Sequence, residues 1–214
     1  VTTAEGNTAV GNSAGLNITT GTGNVAMGNG ALQGMTTSHS NTAIGFEAMK
    51  SHTGHQSVAI GRSALYTNTS GGSTVAIGYE ALYGNTTGYN NVAVGMRALK
   101  ANTTGLRNMA MGVGALDANT TGSDNVGIGE SAFGANTTGS DNVAVGTNAN
   151  VGCGTGSQNT VVGSMALDAS TGSYQTAIGY NALTANTSGA GNTAVGFEAL
   201  KANTTGANNT AVGY

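Results

Sequence analysis

One five-residue pattern, seen at Asn91-Val92-Ala93-Val94-Gly95, recurs along the whole chain and limits what the chain can fold into. Thirteen copies end at Gly11, Gly28, Gly45, Gly61, Gly78, Gly95, Gly112, Gly129, Gly146, Gly163, Gly179, Gly196 and Gly213. Ten of the twelve intervals are equal in length to that from Gly78 to Gly95; Gly45 to Gly61 and Gly163 to Gly179 are each shorter by one. A fixed period of this kind belongs to stacked-repeat architectures, in which each unit buries its apolar face against its neighbours.

Positions are numbered here from the motif glycine as zero. Position −1 is Val, Ile or Met throughout, and −2 is Ala except at Gly127 and Val161. Position +3 is Ala in every complete unit, and +4 is Leu, Met or Phe except at Gly15 and Asn150. A polar corner follows, as in Asn102-Thr103-Thr104-Gly105, and its glycine recurs in every unit but the one with Ser38. Two glycines and a β-branched run in every unit leave no room for an amphipathic helix. The pattern predicts a short strand over Val92–Val94, a second strand or extended edge at Ala98-Leu99, and positive φ at both Gly95 and Gly105. The two shorter units should lack a corner residue, because a deletion within a strand would flip its faces.

The expected fold is therefore all-β: a repeat solenoid, a parallel β-roll or β-helix with about 17 residues per coil and roughly 12 coils. It reads as one continuous array over 1–214, most irregular over 147–163, where Asn150 and the lone Cys153 fall. No signal peptide is visible at Val1, and both ends lie inside the repeat, so a segment of a longer fibre is expected. Charged residues are only 7% and the net charge is −3, which gives no basic footprint for nucleic acid. No apolar run is long enough for a spanning helix, so no membrane insertion is expected in this segment. One cysteine excludes a disulfide framework.

Alternation places −1 and −3 on one face of the strand and −2 and −4 on the other. Both faces are then apolar near the strand centre, as in strands buried on both sides. The Ala column suits the inside of a narrow coil, and the Val/Ile column suits packing against another chain. A stripe of thirteen such side chains would exceed the apolar patch usual on a monomer. The expected assembly is a parallel homotrimer.

The pattern Asn-(Thr/Val)-Ala-(Val/Ile)-Gly-x-x-Ala-Leu resembles the head repeats of trimeric autotransporter adhesins, whose Ser-Val-Ala-Ile-Gly core stands at Ser57–Gly61. The longer form, with the corner Asn203-Thr204-Thr205-Gly206, resembles the arrays of phage tail fibres and related bacterial surface fibres. The resemblance implies a left-handed parallel β-roll or triangular β-helix, three identical chains, and an extracellular or virion-borne setting. The function it implies is a stiff spacer or adhesive surface whose partners are its own copies and a host-surface glycan or protein. Rival readings are a self-assembling extracellular filament without a receptor, and a glycan- or ice-binding solenoid. The adjacent threonines of the corner, as at Thr103-Thr104, should point apart and so count against ice.

Candidate chemistry is sparse. No nucleophile–base grouping recurs, so neither an enzyme nor a cofactor is expected. His39 and His55 follow the corner position in adjacent coils and should stack, with His52 nearby; such a group could hold a transition metal, although exposed corner residues are the plainer account. Ser123-Asp124-Asn125 and Ser140-Asp141-Asn142 could hold calcium but fit turn chemistry better. Tyr66 and Tyr83 share position +5 with Tyr79 and Tyr89 close in sequence, and these four are the candidates for glycan or receptor contact. The Asn-Thr-Thr and Asn-Thr-Ser sequons, Asn68 among them, are attributed to the corner's own preference for Asn and Thr.

Overall fold

The computed structural model describes residues 4–214 and divides into two compact units, Val1–Arg107 and Asn108–Tyr214. Each unit is a parallel β-solenoid, and the described residues contain no helix. Unit 1 holds β1 (Thr8–Val10), β2 (Val25–Met27), β3 (Thr42–Ile44), β4 (Val58–Ile60), β5 (Val75–Ile77) and β6 (Val92–Val94). Unit 2 holds β7 (Met109–Met111), β8 (Val126–Ile128), β9 (Val143–Val145), β10 (Thr160–Val162), β11 (Thr176–Ile178), β12 (Thr193–Val195) and β13 (Thr210–Val212). Within each unit consecutive strands pair in parallel, with equivalent positions opposite one another, as in Val75↔Val92 and Ala144↔Val161.

The short coils keep this register. Thr42 faces Val58 and Thr160 faces Thr176 across the two shortened intervals. The missing residue is the outermost one of the corner: Gly54 follows Thr53 directly and Gly172 follows Thr171, where other coils insert an exposed Thr or Ser. A corner can lose a residue whose side chain is exposed, whereas a deletion in a strand would flip its faces.

The interior is thin. Ala93, Ala98 and Leu99 are fully buried, and their equivalents repeat in neighbouring coils. The strand therefore turns its Ala inward, and the flanking Val92 and Val94 stay half-exposed outside. Two polar columns complete the core. Asn91, at −4, and Asn102, at +7, are buried and donate from Nδ2 to the same carbonyl, that of Gly105, at 2.8 and 3.1 Å. Asn102 also donates to Asn85 Oδ1 of the preceding coil at 2.7 Å, so the amides form a ladder along the stack. Buried amides need such partners, because an orphaned polar group costs about 1–3 kcal/mol.

Two local expectations are corrected. Ala98-Leu99 is not a second strand: residues 96–101 form a continuous run of turns, with Arg97 at φ 59° and Leu99 at φ 52°. Left-handed backbone is unfavourable for such residues by about 1–2 kcal/mol each. Here it is held by burial of the Leu side chain and by bonds to the preceding coil, such as Leu82 N–H to Ala98 O at 3.0 Å. The motif glycines do have positive φ, as at Gly78 (134°), but the corner glycines do not. A corner position excludes side chains for a different reason: a Cβ on Gly71 would lie 2.1 Å from the carbonyl oxygen of Gly88 and 2.8 Å from Asn68 Oδ1.

Candidate interaction surface

The outer side of each sheet is a largely apolar surface. Rows −3 and −1 carry Val, Ile, Met or Thr, and row +1 begins the turn beside them. Their exposure is substantial: Met27 41%, Ile60 37%, Val162 39% and Ile178 38%. Stacking of like residues in register hides each side chain's flanks and leaves its tip to solvent. Across these three rows the charged residues are Arg62 in unit 1 and Glu130 in unit 2. Arg62 lies between the rings of Phe46 and Tyr79, 5.8 Å from each centroid, which keeps its charge over aromatic faces. In unit 2 the +1 row ends in a stack of Tyr180, Phe197 and Tyr214, with centroids 5.5 Å apart at both steps. Sequence reasoning passed over this row, although three aromatics each directly follow a motif glycine.

The four tyrosine candidates do not form one patch. Tyr66 and Tyr83 stack at 5.1 Å with rings 11° from parallel, as their shared position predicts, and Lys50 Nζ caps the stack 5.7 Å from the Tyr66 centroid. Tyr79 belongs to the +1 row beside Arg62, and Tyr89 stands at the +11 corner. Because Tyr66 and Tyr83 face each other, they offer ring edges and hydroxyls to a ligand more readily than open faces.

The histidines separate as well. His39 and His55 stack as expected, with centroids 5.4 Å apart. His52 takes the +7 place, where most coils carry Asn, and is fully buried within the amide ladder. Its Nε2 lies 3.2 Å from Asn41 Oδ1, and its Nδ1 lies 2.7 Å from Asn68 Nδ2. Burial, with a smaller contribution from His55, holds its pKa down at about 4, against a slight upward pull from the Gly54 backbone. Counting along the unit from Gly45 would have placed it. Among the described residues no group of three His, Cys, Asp or Glu side chains is arranged to hold a metal ion. Asp124 and Asp141 are exposed at +12, while Asn125 and Asn142 beside them belong to the buried ladder.

The sequon asparagines Asn68, Asn85, Asn102, Asn119, Asn136 and Asn186 are fully buried. The first threonine of the corner is also occupied: Thr86 Oγ1 donates to Thr103 O at 2.9 Å, and Thr120 Oγ1 to Thr137 O at 2.9 Å. These rows hold coil to coil. Cys153 is buried in the same +7 column, and burial pushes its thiol up, against smaller downward effects of the Gly156 and Thr155 backbone and the nearby Asn150. Asn150 itself is buried at +4, and neither of its amide atoms reaches hydrogen-bonding geometry with any described residue. Among the described residues no helix is long and apolar enough to cross a membrane. Comparison with protein-family models, with curated protein sequences and with solved structures finds no match.

Proposed function

We propose that this chain is a structural segment of a homotrimeric extracellular or virion fibre, acting as a stiff spacer or adhesive surface, with the outer sheet face as the contact between copies. One observation carries the reading: the strands bury Ala inside the coil and leave the larger Val, Ile and Met side chains outside. A fold that only needed a core would place its larger apolar residues inward, since burial stabilises by roughly 25 cal/mol per Å². Parallel copies suit the surface, because rows −3 and −1 present Val, Ile, Met or Thr at a constant spacing along the stack. The resemblance of Ser57–Gly61 and of the Asn-Thr-Thr-Gly corners to adhesin and tail-fibre repeats supports the same setting. The decisive measurement is the native mass in solution. Three times the 20.8 kDa chain mass is expected; a monomer at micromolar concentration overturns the reading.

Ice binding stands as a second reading on one observation. Thr160, Thr176, Thr193 and Thr210 project outward in consecutive coils, each with Val or Ile two residues on. This array lies on the strands, unlike the corner threonines, whose first hydroxyl bonds the next coil. Absence of thermal hysteresis in the purified protein would end this reading.

A further inference from the structure

All three histidines lie in two adjacent coils of unit 1, those of Gly28 and Gly45, and unit 2 has none. Each uses an unprotonated ring nitrogen to hold the stack together. The Thr22 N–H donates to His39 Nδ1 at 3.0 Å, and the His39 N–H donates to His55 Nδ1 at 3.1 Å. In unit 2 serine hydroxyls at the same position do this work: Ser123, Ser140 and Ser157 N–H donate to Ser140, Ser157 and Ser173 Oγ, each at 3.0 Å. A serine hydroxyl keeps its accepting lone pairs at any ordinary pH, whereas imidazole gains a proton near neutrality.

Protonation converts Nδ1 from acceptor to donor, facing a backbone donor. His52 meets the same conflict inside the core. Its Nδ1 accepts from Asn68 Nδ2 and its Nε2–H donates to Asn41 Oδ1, an arrangement that only one neutral tautomer satisfies. Few charges nearby could compensate. His52 is flanked in its column by Met35 and Asn68, with the other ionisable influence coming from His55. The column of His39 and His55 contains one carboxylate, Glu5, with Thr22 between it and His39, and Gly72 on the far side. Glu47 is engaged by Lys50 Nζ at 2.6 Å.

We propose that these histidines make unit 1 an acid-sensitive solenoid segment that opens locally around the coils of Gly28 and Gly45 as pH falls below neutrality, while unit 2 stays closed. The sign follows from linkage. The folded state holds His52 near 4 and the open state near 6.5, so its stabilising share is complete above pH 6.5 and declines as pH falls toward 4. Within that window one such histidine raises the opening equilibrium about tenfold per pH unit.

Hydrogen exchange read by mass spectrometry, corrected for the intrinsic pH dependence of exchange, tests this at pH 7.5, 6 and 5. Peptides covering 19–73 should lose protection by about tenfold per pH unit below 6.5 relative to unit 2 peptides. A triple variant, His39→Ser, His52→Asn and His55→Ser, carries the residues that unit 2 uses at these positions and should keep its protection. Equal behaviour of the two units of the unmodified protein overturns the proposal without any variant. So does an unchanged acid response in the triple variant.

Discussion

Asn125 and Asn136 donate from two different columns to one carbonyl oxygen, that of Gly139, at 2.8 and 3.0 Å. Asn136 also accepts from the Gly139 N–H at 3.0 Å and donates to Asn119 Oδ1 at 2.8 Å. This convergence closes the corner and ties it to the preceding coil. Asn136→Ala should leave the Gly139 N–H without its partner and remove one donor from Asn119. We expect a loss of about 2–4 kcal/mol, consistent with one or two orphaned buried groups. Urea unfolding checks it; a change below about 0.5 kcal/mol would show that the ladder is not needed there.

The two kinds of glycine should respond differently to a methyl group. Gly139→Ala places Cβ 2.1 Å from Gly156 O and 2.6 Å from Asn136 Oδ1, at ordinary negative φ. Backbone on one side and the ladder on the other cannot yield, so a cost above about 3 kcal/mol is expected. Gly23→Ala meets only Ser40 Oγ at 3.9 Å, at φ 67°. The equivalent position carries Ser73 at φ 53° and Gln158 at φ 60°, so only the left-handed cost of about 1–2 kcal/mol is expected. Thermal melts of the pair should differ clearly in that order.

Asn150 is the weak point of its coil. It sits at +4 between the coils of Phe133 and Leu167, fully buried and with its side-chain amide in no hydrogen bond. Asn150→Leu should stabilise by about 1–3 kcal/mol, through removal of an orphan amide and gain of apolar burial. The gain is tempered by φ 53°, which Asn tolerates better than Leu. Chemical denaturation checks the sign, and destabilisation would show that left-handed strain outweighs packing.

Ile178 projects outward at 38% exposure, clear of the core. If the proposed trimer forms through this face, Ile178→Lys should leave the circular dichroism spectrum unchanged and shift the native mass to that of a monomer. Light scattering reads the outcome; a trimer that survives the substitution would move the contact to another face.

Much of this architecture was legible from spacing. Copies of one pattern at a fixed interval imply stacked coils, and the strand at Val92–Val94 follows from β-branched residues ahead of a glycine. Placement of the two deletions in corners follows because side-chain alternation forbids them in strands. The stacking of Tyr66 on Tyr83 and of His39 on His55 follows from shared positions alone. The oddity of the coil containing Asn150 and Cys153 was visible as a break in two columns.

Other features required the coil to be closed in space. Leu99 prefers right-handed or extended backbone on its own, yet it adopts φ 52° with its side chain buried and its turn bonded to the preceding coil. The need for Gly71 lies in the Gly88 carbonyl of the next coil, a contact that no local preference encodes. His52 looked like a neighbour of His39 and His55 along the chain; closure of the coil places it in the core, between Asn41 and Asn68. The sequence by itself determined the period, the strand and the identity of each column, because these are properties of spacing. Tertiary structure decided the left-handed path of the turns and why each corner glycine is required, because those depend on atoms brought together only when one coil stacks on the next.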